Sequence, residues 1–310
     1  MDSVSGWSAV RDLRFLYGSA PLPAPPRNSA EKSSSKFTEI FGDFLCKKDI
    51  AFPGEICYNI IRRVENGQKR RIQRGALMKL HGLQKLTLLD FPGHVACTVF
   101  TPGCNLRCPF CHNALLVTDL RAEDEIPLDE FFSFLEKRKG LLDGVAVTGG
   151  EPLLQPDLGD FLLRVRSLGY AVKLDTNGCF PDRLSALIDA GLIDYAAMDF
   201  KNAPAKYPET VGIPGFDPAP VLESARILVS SGVPCEFRTT AVKEFHTVPD
   251  IEEIARILSG LGAERYFVQC FKDSGGLIGK DLHPVARDGL FAMRDAARKF
   301  LPGTELRGVD

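Results

Sequence analysis

Long apolar runs are missing from this 310-residue chain: no window holds the eighteen or so consecutive apolar residues that a membrane-spanning helix requires. The N-terminus likewise shows no charged stretch followed by an apolar core and a small-residue cleavage site, so no export signal is read there. An excess of charge of one sign is also missing. Thirty-eight Lys and Arg stand against 40 Asp and Glu, a net charge of −2, which removes any global electrostatic case for nucleic acid or an anionic membrane as partner. These absences together lead to the expectation of a cytoplasmic protein that binds neither nucleic acid nor membrane.

What is present is an apolar fraction of 45%, enough for a sizeable core in one large domain or two ordinary ones. Cysteine is plentiful and unevenly placed. There are nine, an odd number, and their clustering in a chain of this size fits metal or redox chemistry in a reducing compartment better than a disulfide framework.

Residues 1–77 differ from the rest. They contain a proline-rich run from Pro21 to Pro26, a serine run from Ser33 to Ser35 and a basic run from Arg62 to Arg74, without a sustained helix or strand period. The expectation is a poorly structured extension, with Met78 a candidate natural start and residues 78–310 as the folded domain. Cys46 and Cys57 lie in the extension without metal-like spacing.

Beyond Val95 short apolar runs alternate with amphipathic segments. Strands are predicted at Val95–Thr101, Gly144–Thr148, Tyr170–Thr176, Tyr195–Phe200, Pro234–Thr240 and Arg265–Cys270. Helices are predicted at Leu128–Arg138, Leu158–Leu168, Arg183–Ala190, Val221–Ser230, Ile251–Leu261 and Val285–Phe300. Strands that alternate with helices call for a parallel sheet with right-handed crossovers. The polar motifs all fall at the C-terminal ends of different strands: the cysteines, then Gly149–Pro152 (GGEP), Asp175–Gly178 (DTNG), Met198–Lys201 (MDFK) and Arg238–Thr240 (RTT). A barrel brings such ends to one mouth, whereas an open sheet spreads them along an edge. The expected fold is therefore α/β, a six-stranded partial (β/α)6 TIM-like barrel with parallel strands.

The segment Thr101–Asn113, TPGCNLRCPFCHN, places Cys104, Cys108 and Cys111 within eight residues and follows them with His112. Cys108–His112 matches the c-type haem attachment pattern and Cys108–Cys111 a thioredoxin-like pair, but both leave Cys104 without a task. A closed zinc site from the three cysteines and His112 is a further reading, although adjacent Cys111 and His112 would have to turn to one ion. Burial as three small hydrophobes fits poorly with a loop rich in proline and glycine. The remaining reading is an iron–sulfur cluster, which takes four thiolates in the ordinary case. Three leave one iron open to another ligand, as reactive metal sites require.

Cys-x3-Cys-x2-Cys with an aromatic, Phe110, before the last cysteine, followed by Gly149–Pro152, resembles the radical S-adenosylmethionine (SAM) superfamily over about Lys79 to Phe300. Within it the cysteine segment, DTNG and DFK are similar to the glycyl-radical-enzyme activating enzymes. Gly82–Asn113 is similar more narrowly to the activating proteins of anaerobic ribonucleoside-triphosphate reductase. The resemblance implies a 4Fe–4S cluster held by Cys104, Cys108 and Cys111 and a SAM molecule cleaved reductively. It further implies contacts to SAM from Phe110, the His112 backbone, Gly149, Gly150 and Glu151. Asp175, Asp199 and Lys201 are implied to lie at the SAM carboxylate, with a monovalent cation between the two aspartates. Two carboxylates at neighbouring strand ends would raise a pKa unless a cation lies between them; capping of their own turns is the alternative reading. A glycyl radical enzyme is the implied protein partner, and flavodoxin or ferredoxin the electron donor. A radical SAM enzyme acting on a small molecule or peptide would share these motifs.

One departure is visible. Where related activators carry a histidine after the sixth parallel strand, this chain has Phe271 and Lys272. Cys97, Cys179, Cys235 and Cys270 are read as structural. Residues 202–218, rich in proline, are expected to line the entrance for a partner's loop.

Overall fold

In a computed structural model of the protein, residues 78–121, 124–273 and 275–309 are described. The extension expected over residues 1–77, with Cys46 and Cys57, lies outside them. The predicted strands all form: β2 Ala96–Thr101, β3 Gly144–Gly149, β4 Ala171–Thr176, β5 Tyr195–Asp199, β6 Cys235–Ala241 and β7 Tyr266–Cys270. The sheet has two more at its edges, β1 Gly82–Thr87 and β8 Thr304–Arg307. Strand order follows the sequence from β1 to β8. Among the described strands only the β1–β2 pair is antiparallel, and β2 through β8 run parallel. β1 and β8 are not paired with each other, so the barrel is partial.

The two faces of the sheet are chemically opposite. Residues paired across a ladder share a face, which places Cys97, Val145, Val172, Leu174, Ala196, Met198, Phe237 and Val268 on one side, all buried. The other, concave side carries Lys173 and Asp175 on β4, Asp199 on β5, Glu236 and Arg238 on β6, and Arg307 on β8. A doubly wound sheet would need both faces apolar. One apolar face means one layer of helices, which is the barrel arrangement.

That layer consists of α1 Leu128–Lys137, α2 Leu158–Ser167, α3 Pro181–Asp189, α4 Ala219–Ser230, α5 Val248–Leu261 and α6 Arg287–Arg298. Each has an apolar stripe: Phe131, Phe132 and Leu135 from α1 and Phe161, Leu162 and Val165 from α2 join the strand residues in one core. The start of α5 is fixed by a capping box, in which Thr247 and Asp250 satisfy each other's backbone N–H, and its end by Gly262 at φ 91°. Among the described residues no helix is long and apolar enough to cross a membrane.

Within the concave face, charge is matched by charge. Arg307 grips Glu236 with both Nη atoms at 2.6 and 2.8 Å, and Tyr195 donates its hydroxyl to the same carboxylate at 2.8 Å. Burial alone would raise the Glu236 carboxyl, but the bonds from Arg307 outweigh it and hold the group below its ordinary range.

Candidate active site

The cysteine loop leaves β2 at the mouth and is clamped along its length by backbone bonds from distant segments. Gly103 donates to Leu116 O at 2.7 Å, and its own carbonyl accepts from Glu151 N at 2.8 Å. Arg107 N reaches Val211 O at 2.9 Å, and Gly279 N reaches Pro109 O at 2.7 Å. The Gln155 amide holds Pro102 O at 2.8 Å.

Gly149 and Gly150 are glycines because of this clamp. Gly149 has φ 119°, and a Cβ there would lie 2.3 Å from Thr101 N; a Cβ at Gly150 would lie 1.9 Å from Gly103 O. Their missing side chains let two backbones touch, so the steric demand comes from the cysteine loop itself. The resemblance implied contacts to SAM from this same backbone.

Glu151 is fully buried. Its Oε1 accepts from Leu153 N at 3.0 Å and from the Thr176 hydroxyl at 2.8 Å, and its Oε2 accepts from Asn177 N at 2.7 Å. Burial pushes the carboxyl up to about 7 against these bonds. The side chain thus ties the loop after β3 to the loop after β4, where a direct contact to SAM was expected.

Asp175 and Asp199 do face one another, and the cation between them is a side chain. Arg238 donates Nε to Asp199 Oδ1 at 2.9 Å and Nη1 to Asp175 Oδ2 at 3.3 Å. Lys173 closes on the other oxygen of Asp175, and Lys201 on Asp199 Oδ2 at 2.9 Å. Burial would raise the Asp199 carboxyl, but Arg238 and then Lys201 hold it well below the usual range. The place expected for a monovalent cation is taken by a guanidinium.

Lys201 is fixed at its backbone from both sides. Its N–H donates to the Tyr207 hydroxyl at 3.0 Å, and its carbonyl accepts from His246 Nε2 at 2.8 Å. Val242 N–H can only donate, so His246 Nδ1, 3.1 Å away, is the acceptor and the ring is the neutral Nε2–H tautomer. Phe110 is 3% exposed, packed against Phe245 and edge-on to His246, which leaves little of its ring for an adenine. His112 turns outward, stacking on Phe271 and bonding Lys272 O at 2.8 Å. Within residues 202–218, Tyr207 and Val211 are buried, Tyr207 is stacked on Phe216, and a Cβ on Gly212 would meet Arg107 O at 2.4 Å, while Pro214, Gly215 and Asp217 are exposed. This segment braces the cysteine loop.

The donor set fits an iron–sulfur cluster. Burial pushes the Cys108 thiol up to about 12 and raises Cys104 and Cys111, while the nearby Lys201 ammonium pulls all three down. Neutral buried thiols become ligands once a metal supplies positive charge. Among the described residues no three His, Cys, Asp or Glu side chains converge as a single ion needs. Cluster ligands each bind a different iron and need no such convergence.

Residues 98–258 match the family model described as the radical SAM superfamily. The chain belongs to that superfamily. It is accordingly a radical SAM enzyme, and membership implies a 4Fe–4S cluster and SAM. A candidate glycyl-radical enzyme activating enzyme of Methanocaldococcus jannaschii is 29% identical over 235 residues, 74% of this chain and 95% of that protein. The pyruvate formate-lyase-activating enzyme of Listeria monocytogenes is 33% identical over 132 residues, 38% of this chain and 53% of its own length. Among solved structures, Streptococcus suis SuiB superposes with a TM-score of 0.56 at 17% identity, covering 88% of this chain and 60% of SuiB. That likeness supports the radical SAM partial-barrel fold.

Three residues escaped the sequence reading as site residues: Arg238, Asn177 and His246. Arg238 and Asn177 lie inside the RTT and DTNG motifs and His246 outside any of them, and their roles depend on which strand ends become neighbours.

Proposed function

We propose that this protein is an activase that installs a glycyl radical on a partner enzyme, and that the partner is an anaerobic ribonucleoside-triphosphate reductase. The observation that carries the reading is one arrangement: three cysteines on a clamped loop, facing an ammonium whose backbone is locked on both sides. The similarity to a candidate activating enzyme across 95% of that relative supports it.

In this reading Cys104, Cys108 and Cys111 hold the cluster. Bound together, cluster and SAM supply a 5′-deoxyadenosyl radical through one-electron cleavage of the sulfonium, the electron coming from a flavodoxin or ferredoxin. Lys201 has three donors, one engaged by Asp199, and offers the others to the SAM carboxylate. Asp199, with Asp175 and Arg238, keeps that ammonium charged and aimed. The backbone at Gly149, Gly150 and His112 and the rim of Phe110 complete the SAM contacts, and Glu151 acts by positioning. Residues 78–310 carry the activity without residues 1–77, because every motif lies beyond Met78.

The deciding experiment mixes the anaerobically reconstituted protein, SAM and dithionite with the candidate reductase. A doublet electron paramagnetic resonance signal on the reductase is expected. Turnover of a nucleoside or short peptide, with no glycyl radical enzyme ever labelled, would overturn the activase reading.

A further inference from the structure

Asn177, in the DTNG turn after β4, is 6% exposed and fully engaged. Its side-chain oxygen accepts from Cys179 N at 3.0 Å. A backbone N–H can only donate, so the oxygen must lie on that side and the amide NH2 on the other. There one hydrogen goes to Asn105 Oδ1 at 2.8 Å and the other to Cys104 Sγ at 3.7 Å. The backbone N–H of Asn177 is itself anchored on Glu151 Oε2 at 2.7 Å. A chain of bonds, buried at Glu151 and part-buried at its far end, therefore runs from Glu151 through Asn177 to the first cysteine of the loop.

We propose that Asn177 is a positioning residue that sets the reduction potential of the cluster through its N–H···S bond to Cys104. The proposal rests on the assignment of Cys104 as a cluster ligand. Taking up an electron adds negative charge to the cluster and its thiolate sulfurs, and a hydrogen-bond donor aimed at a sulfur stabilises that charge. The contact is part-buried, where such dipoles act more strongly than in bulk water. Leu106 N also approaches Cys104 Sγ, at 3.4 Å, but that donor is backbone and survives any side-chain change. Asn177 is thus the adjustable contribution at this thiolate, and it raises the potential at which the cluster accepts an electron.

The test is a redox titration of the full-length, anaerobically reconstituted protein, followed by electron paramagnetic resonance of the reduced cluster, with dithionite as electron source. Asn177→Ser keeps an oxygen to cap Cys179 N but is too short to reach Cys104. Asn177→Asp keeps the cap and presents an oxygen to the sulfur in place of a donor. At a fixed potential the reduced-to-oxidised ratio should fall in Asn177→Ser and fall further, by about tenfold or more, in Asn177→Asp, about 59 mV for one electron. Iron and sulfide contents should match the wild type. Unchanged ratios in both variants at full cluster content would overturn the proposal alone. Empty clusters in both variants would replace it with a purely structural role. A wild type that forms no iron–sulfur chromophore would overturn the cluster assignment and this proposal with it.

Discussion

Arg238 donates Nε to Asp199 across the β5–β6 ladder at 2.9 Å, and the same guanidinium reaches Asp175 one strand further on. Removing it leaves two facing carboxylates with only Lys173 and Lys201 to neutralise them. Arg238→Gln is expected to destabilise the protein by about 3 kcal/mol in urea denaturation at neutral pH, the scale for breaking a buried charge network. With Arg238 gone, Asp199 loses the main group that lowers its pKa, so part of the loss should return as the pH falls toward 4. A deficit independent of pH would show that the guanidinium acts by packing alone. Adding sodium or potassium should change neither SAM binding nor cleavage by the wild type, since the cation between the aspartates is built in.

Lys201 is expected to contribute a charged, partly buried contact to SAM. Lys201→Ala should weaken SAM binding by about 10- to 100-fold, the equivalent of about 1.5–3 kcal/mol. Equilibrium binding to the anaerobically reconstituted protein measures it. Asp199→Ala should follow in the same direction, because it releases the ammonium.

Two buried groups give opposite pH dependences. Glu151 titrates near 4.5 when unfolded and at about 7 in the folded protein. Between those values the folded state holds a proton the unfolded chain has lost, so this contribution to stability falls as pH rises. His246, lowered from 6.5 by burial, works the other way: below 6.5 the unfolded chain takes up a proton that the folded protein refuses. Glu151→Gln removes the first effect and turns an NH2 toward backbone or hydroxyl donors, at a cost of about 1–3 kcal/mol. The stability gap to wild type should narrow between about pH 5 and about pH 7.5. A constant gap in denaturation curves would refute the assignment.

Gly150→Ala is expected to empty the site. Its Cβ would stand 1.9 Å from Gly103 O, which is backbone and has nowhere to yield while Leu116 and Glu151 hold Gly103 on both sides. Iron analysis after anaerobic reconstitution should show most of the cluster lost. Gly159→Ala, in α2 with its nearest neighbour at 3.7 Å, is the matched control and should load normally, with stability unchanged or raised by about 0.5–1 kcal/mol.

The sequence carried the interior strands and hid the edges. Val145 and Val147 belong to an apolar run bounded by turn signals, which is legible in any context. β1, Gly82–Thr87, is half covered and bears Gln84 and Lys85, and β8 is the four polar-flanked residues Thr304–Arg307. Neither has the alternation that marks a strand. At the site, the cysteines and strand-end motifs were visible because the chemistry requires them in fixed spacing. Arg238 was legible as a strand end but not as a counter-ion, since its partners come from two other strands. His246 and Asn177 became meaningful only when the ladder register placed Lys201 and Cys104 beside them. The glycine pair was legible as a place of close approach, but its packing against the backbone of Thr101 and Gly103 shows only once the strands are placed.

The clamp on the cysteine loop joins residues far apart along the chain: Gly103 to Glu151, Arg107 to Val211 and Pro109 to Gly279. Contacts of such separation form late, after the intervening chain has been ordered. During synthesis the three thiols therefore emerge long before the last of these braces exists, and the clamp on Pro109 closes only once Gly279 has been made. The cysteine loop thus reaches its final geometry late in folding, after the strands that flank it.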